Sequence, residues 1–189
     1  MTHADVEQAL WAFGRGSGVV ALIVLTVALT AGIAARSGRA VVLPRAGLAE
    51  FHRGAALFAT ALIAVHVVSL LADPEAQLRL VDVVIPFTNA YRPLWVGLGT
   101  VAVDIAAAVV LSALLRNRLG PRAFRVVHWA AYPLWPIALA HALGSGTDAT
   151  RVWMLAVAAA CALTVAAAVA WRVATDFTEF PRTSERSPR

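Results

Sequence analysis

The chain has 189 residues, the length of one domain. Of these 60% are apolar and 14% charged, with a mean hydropathy of +0.73; a soluble domain carries about 25% charged residues. A soluble enzyme, a disordered tail and a nucleic-acid module are therefore disfavoured despite a net charge of +5, and the basic charge, all of it arginine, belongs at lipid headgroups.

Five apolar stretches are long enough to cross roughly 30 Å of hydrocarbon, which takes about 20 helical residues. They cover residues 17–35, 51–72, 93–115, 126–143 and 153–173. Alanine and leucine dominate them, and the period-two alternation of a membrane barrel is missing. The expected fold is an all-α membrane protein, a bundle of about five transmembrane helices, with room in the leader for a sixth short N-terminal helix. The leader holds Asp5, Glu7 and one arginine, Arg15. A secretion signal starts basic, so the first stretch reads as a true span.

Arginine placement gives a direction. Arg36, Arg39, Arg45 and Arg53 surround the first connection, Arg116, Arg118, Arg122 and Arg125 the third, and Arg172, Arg182, Arg186 and Arg189 follow the last span. The opposite side has Arg15, Arg79, Arg92 and Arg151. Cytoplasmic loops retain positive charge, so the N-terminus is expected outside and the C-terminus in the cytoplasm of a bacterial plasma membrane. Trp11, Trp95 and Trp153 then fall at the outer interface and Trp171 at the inner one.

Four histidines lie on two of these spans. His52 and His66 are on the second, fourteen residues apart; His128 and His141 are on the fourth, thirteen apart. Both spans start on the cytoplasmic side, which puts His52 level with His128 and His66 level with His141. The levels are about 21 Å apart on one helix and about 19.5 Å on the other. His3, in the leader, reads as a surface residue. Ionisable groups in lipid are costly and usually functional, so matched pairs point to a ligand. Zinc suits the pairs poorly, because two histidines do not complete a tetrahedral site. Two facing imidazoles do suit the axial positions of a haem iron. Cys161 is the lone cysteine, so there is no C-x-x-C-H and such a haem would be held non-covalently, as b-type haem is.

Fourteen residues return a helix to within roughly 40° of its starting face, whereas thirteen leave roughly 140°. Pro133 and Pro136 lie between His128 and His141. Proline breaks the hydrogen-bond ladder, so the fourth span is expected to be distorted in a way that corrects the facing.

With these spacings, and with Arg125-Val-Val-His128-Trp running on to His141-Ala-Leu-Gly-Ser-Gly-Thr-Asp148, the chain resembles the ferric-reductase-like transmembrane domain from about residue 16 to residue 171. That superfamily includes the membrane core of NADPH oxidases, ferric-chelate reductases and small bacterial haem b membrane subunits. The resemblance implies that His52 and His128 hold an inner haem, and His66 and His141 an outer one, as metal ligands. It implies a di-haem b electron conduit. Electrons would pass from a cytoplasmic flavin/NAD(P)H-linked flavoprotein reductase, or a membrane quinol, to ferric iron, oxygen or a periplasmic redox protein outside. Family members often have six spans, against five here. Residues 1–174 would form the haem domain and 175–189 a short cytoplasmic tail, too short for a flavin and nicotinamide domain. The chain is then an oxidoreductase subunit, with flavin or quinone supplied by a partner. The alternative is a haem-free membrane carrier or structural subunit with interhelical histidine hydrogen bonds.

Other side chains have candidate roles beside the histidines. Arg53 and Arg125 adjoin the inner ligands and suit haem propionates; Tyr91 and Arg92 are weaker candidates outside. Trp135 lies midway between the two histidines of its span, suited to an electron path or to core packing. Gly54, Gly97 and Gly99 suit either close approach of a porphyrin or helix packing. Asp104, deep in the third span, suits proton transfer, a cofactor contact, or a hydrogen bond to Tyr132, Ser69 or Thr60. The outer loop 73–92 is expected to fold over the outer site, with Asp73, Glu75 and Asp82 as an acidic surface.

Overall fold

The computed structural model describes residues 2–37 and 44–174, apart from the side chains of His3 and Ala4. The expected tail 175–189 and Arg39 lie outside the described residues. Among the described residues there are seven α-helices: α1 (His3–Arg36), α2 (Arg45–Ala72), α3 (Leu80–Val84), α4 (Pro93–Leu114), α5 (Arg116–His128), α6 (Ala131–Ser145) and α7 (Val152–Val173), with a 3₁₀ turn at Pro74–Ala76. Four of them, α1, α2, α4 and α7, are each long and apolar enough to cross a membrane.

The leader is not a separate helix. Thr2 and Asp5 form a capping box, in which the Thr2 N–H donates to Asp5 Oδ2 at 2.7 Å and the Asp5 N–H donates to Thr2 Oγ1 at 3.2 Å. The helix started there runs unbroken for 34 residues. That is about 51 Å of helix, more than a bilayer's hydrocarbon core, so α1 takes in both the leader and the first span.

The fourth expected span is also not one helix. It comprises the end of α5, a break at Trp129–Ala130, and the 15-residue α6. Pro133 has no N–H, and the turn before it tightens: Ala130 N–H donates to Val127 O at 3.0 Å and Tyr132 N–H to Trp129 O at 3.1 Å, both three residues back. Gly120, at φ 76°, bends α5 ahead of Pro121. A 3₁₀ step turns further than an α step, so two such bonds recover part of the missing rotation. The rest is available because α5 and α6 set their angles separately.

Helix α6 packs on two sides. On one side Trp135 packs with Leu22 of α1 and with Cys161 and Val165 of α7. On another, Leu134 packs with Ala102 and Ala106 of α4. Helix α2 packs along α1 and shares little direct packing with α6. Five hydroxyls within the spans donate inside their own helix: Thr26, Thr30, Thr60, Ser69 and Thr164 each to the carbonyl four residues back, at 2.6–2.9 Å. Thr60 and Ser69 therefore spend their protons on Ala56 and Val65, not on Asp104. Asp104 itself is exposed, on the face of α4 opposite Ala102 and Ala106.

Candidate paired-histidine sites

Histidines from α2 meet histidines from the α5–α6 arm at two levels. The His52 and His128 ring centres are 6.0 Å apart with planes at 87°; those of His66 and His141 are 6.3 Å apart at 80°. The distortion expected of the fourth span is present, and both of its histidines face α2.

Three of the four rings are held by one local device. A helical carbonyl has two lone pairs, one of them engaged by the N–H four residues on. The side chain at that later position shields the other, unless it is glycine. His66 Nδ1 lies 2.6 Å from Gly14 O, and four residues on is Gly18, where a Cβ would sit 2.9 Å from the imidazole. His52 Nδ1 lies 2.7 Å from Ala28 O, and four residues on is Gly32, with the corresponding separation 3.0 Å. His141 Nδ1 lies 2.8 Å from Trp95 O, and four residues on is Gly99, at 2.6 Å. In each case Nδ1 carries the proton and donates it, because a carbonyl only accepts. In the neutral ring this tautomer leaves the lone pair on Nε2, the state a metal ligand requires. Gly18 and Gly32 are fourteen residues apart, as are His66 and His52. In an antiparallel hairpin the match puts one glycine opposite each ring.

His128 departs from this pattern. Its Nδ1 is buried and has no hydrogen-bond partner among the described residues. Its ring stacks on Phe124, one turn earlier on the same helix, at 5.2 Å and 27°. Thirteen residues beyond Gly99, matching the thirteen between His128 and His141, α4 carries Ser112 rather than glycine. Ser112 is buried and donates to Val109 O at 2.8 Å.

The described residues contain no cluster of three His, Cys, Asp or Glu side chains fit to hold a metal by themselves. Each level brings together two imidazoles whose ring centres are 6.0 or 6.3 Å apart. Two metal–imidazole bonds of about 2 Å, with the half-width of each ring, set such ring centres roughly 6 Å apart. His52 with His128, and His66 with His141, are thus spaced as two imidazoles that would hold one planar metal cofactor between them.

The other candidates separate into three groups. Arg53 pairs with Glu50 at 3.2 Å and is exposed, one residue from His52; Arg125 is exposed, one turn before His128. Trp135 is buried, and its Nε1–H donates to Thr26 Oγ1 at 2.8 Å. Gly99 receives the His141 ring, Gly97 receives Phe87, and Gly54 has open space where a side chain would be.

The loop 73–92 is stapled over the His66–His141 end. Thr100 Oγ donates to Asp82 O at 2.6 Å, and Arg92 donates to Gly144 O at 2.8 Å beside the exposed Tyr91. The Trp95 indole fills the space a Cβ at Gly144 would take. The expected acidic surface is largely inside the loop. Asp82 is 1% exposed and accepts from Arg79 Nε at 3.0 Å, Arg79 Nη2 at 2.8 Å, Thr88 Oγ1 at 2.8 Å and Asn89 Nδ2 at 3.2 Å. Asp73 is buried and caps the following turn through the Glu75 N–H, leaving Glu75 as the exposed carboxylate of the three. The Arg79 guanidinium is the main reason that the Asp82 carboxyl titrates well below the usual carboxylate range.

Sequence reasoning missed Gly14, Gly18, Ala28 and Gly32. Their signal was a fourteen-residue repeat on α1 matching the histidine spacing on α2.

Comparison with known families gives one match. The ferric reductase like transmembrane component matches residues 16–139, a range that contains His52, His66 and His128 and stops two residues short of His141. No curated protein and no solved structure matches the chain.

Proposed function

This chain belongs to the ferric-reductase-like transmembrane family, an assignment that indicates a membrane redox role, and from that premise we propose that it is a di-haem b electron conduit. The observation that carries the reading is the doubled pair of facing imidazoles, at 6.0 and 6.3 Å, with three of the four Nδ1 atoms turned to backbone carbonyls. His52 and His128 would ligate one haem, His66 and His141 the other. A bound haem supplies reversible one-electron iron chemistry at each level.

The chain's own residues orient and insulate. The carbonyls of Gly14, Ala28 and Trp95 fix the tautomer and ring angle of their histidines and raise ligand basicity. Arg53 and Arg125 provide cations for propionates at the His52 level. Trp135, locked to Thr26, stands between the levels as an aromatic step. Arg36, Arg45, Arg53, Arg116, Arg118, Arg122, Arg125 and Arg172 cluster toward the His52 end, against Arg15, Arg79, Arg92 and Arg151 toward the His66 end. That asymmetry supports the His52 end as the cytoplasmic side. A flavoprotein or a quinol supplies the electrons there, and the acceptor approaches beneath the stapled loop.

The test is the reduced-minus-oxidised visible spectrum of purified protein, with haem extracted and counted. Two b-type haems per chain are expected. A chain that purifies folded, is supplied with haem and shows no Soret or α-band leaves the haem-free carrier or structural subunit as the reading.

A further inference from the structure

The two levels differ in how their ligands are secured. At the His66 level both rings have a carbonyl partner and a glycine cradle: His66 with Gly14 and Gly18, His141 with Trp95 and Gly99. At the His52 level one ring has them and the other has neither. Among the described residues, His128 keeps a buried Nδ1 with no partner, and its ring contacts are Phe124 and His52. It is also the last residue of α5, next to the break at Trp129–Ala130, where the backbone changes its hydrogen-bonding step. A ring that swings there gives up no Nδ1 hydrogen bond to a described residue, whereas each of the other three must break one.

We propose that His128 is a displaceable ligand, so that the His52 level is a binding site for a small uncharged molecule such as carbon monoxide. The proposal rests on the di-haem reading. The exchange is one of electron pairs without oxidation or reduction. With a ferrous haem bound, the His128 Nε2 bond to iron would break as the carbon of carbon monoxide forms one, and the imidazole would leave neutral with its lone pair free. His52 stays as the opposite ligand, because its Nδ1–H is held by Ala28 O at 2.7 Å. The His66 level resists the same exchange, since outer partners of this kind are worth about 10–100-fold in ligand retention.

The experiment uses the full chain in lipid nanodiscs, with haem counted first. A chain without haem defeats the di-haem reading itself. With two haems present and dithionite as reductant, carbon monoxide titration is expected to shift the Soret band of one haem only. The other responds only at about 10–100-fold higher concentration. Two haems that both ignore carbon monoxide, or both bind it alike, overturn the inference and leave the conduit standing. The site is assigned with single variants. His66→Ala retains the haem of the His52 level and should still bind carbon monoxide. Phe124→Ala, which removes the ring that His128 stacks on, should bind it with a shorter lag. Where these variants fail to fold, stopped-flow on the wild type decides. A rate limited by ligand departure and independent of carbon monoxide concentration at saturation supports displacement, and a rate linear throughout overturns it.

Discussion

The two helical arms that carry the histidines solve one geometric problem differently. On the α1–α2 arm, histidines and glycines both repeat every fourteen residues, both helices run unbroken, and both rings are cradled. On the arm formed by α4 with α5 and α6 the repeat is thirteen, the second strand of the hairpin is broken, and one ring in two is cradled. Fourteen is close to a whole number of helical turns, so a straight pair of helices presents the same face twice. Thirteen is not, and the chain meets the difference with a break ahead of Pro133 at the cost of one histidine's support. The straight arm is the reference; the broken arm is where the two levels become unequal.

The largest effect that would break this comparison is loss of a ligand. His66→Ala should reduce haem content from two to one per chain, and His52→Ala should do the same while removing the other spectral component. If either variant keeps both haems at full stoichiometry, the pairing across the arms is wrong.

Next come the cradles. Gly99→Ala puts a methyl group 2.6 Å from the His141 ring, closer than Gly18→Ala at 2.9 Å or Gly32→Ala at 3.0 Å. All three should lower haem retention, by about 10–100-fold where the ring must leave its carbonyl, with Gly99 worst. Haem transfer to apomyoglobin measures the order. The converse change, Ser112→Gly, uncovers the carbonyl of Ala108 in the register of His128 and should slow haem loss from the His52 level. Faster loss from Ser112→Gly would show that the missing glycine is not what distinguishes His128.

A smaller effect is confined to the outer loop. Asp82 is held in its charged form, first by Arg79 and then by Thr88, the Arg79 N–H and Asn89. Its folded carboxyl titrates below the unfolded one. Its contribution to loop order is therefore complete above the ordinary carboxylate value and is lost only as pH falls through the lower folded value. Pepsin cleavage within residues 77–92 should stay slow at about pH 4 and accelerate only in stronger acid. Asp82→Asn should be cleaved readily at both. A loop already open at about pH 4 in the wild type would contradict the network.

Much of this was legible before any coordinates. Hydropathy gave the bundle, and α4 and α7 follow their expected bounds to within one residue. Histidine spacing gave both pairs, and Pro133 with Pro136 gave the break between His128 and His141. The glycine device was written as plainly, in Gly14, Gly18, Ala28 and Gly32, but reading it requires the idea that a glycine uncovers the carbonyl one turn earlier. The continuity of α1 was hidden by the polar leader, where hydropathy stops although the Thr2–Asp5 capping box starts a helix. The outer loop was least legible. An acidic segment reads as solvated surface, and only tertiary folding brings Arg79, Thr88 and Asn89 around Asp82.

The smallest effect concerns the joint between the arms. Trp135 on α6 reaches Thr26 on α1 through a 2.8 Å hydrogen bond, with both residues buried. Thr26 Oγ1 already donates to Leu22 O at 2.9 Å, so it accepts from the indole without leaving a proton unpaired. Trp135→Phe removes the donor and leaves an aromatic ring in the core; Thr26→Val removes the acceptor and keeps the shape. Interhelical hydrogen bonds within membranes are worth about 0.6 kcal/mol on average and at most about 1.7. A double-mutant cycle on unfolding in mixed micelles should return a coupling in that range. Haem content should be unchanged, because neither residue touches a ligand ring. A coupling near zero would mean that the arms are joined by packing of Leu22, Cys161 and Val165 around the indole alone. If Trp135→Phe instead leaves stability intact but slows electron exchange between the levels, the indole matters as a step in the path more than as a brace.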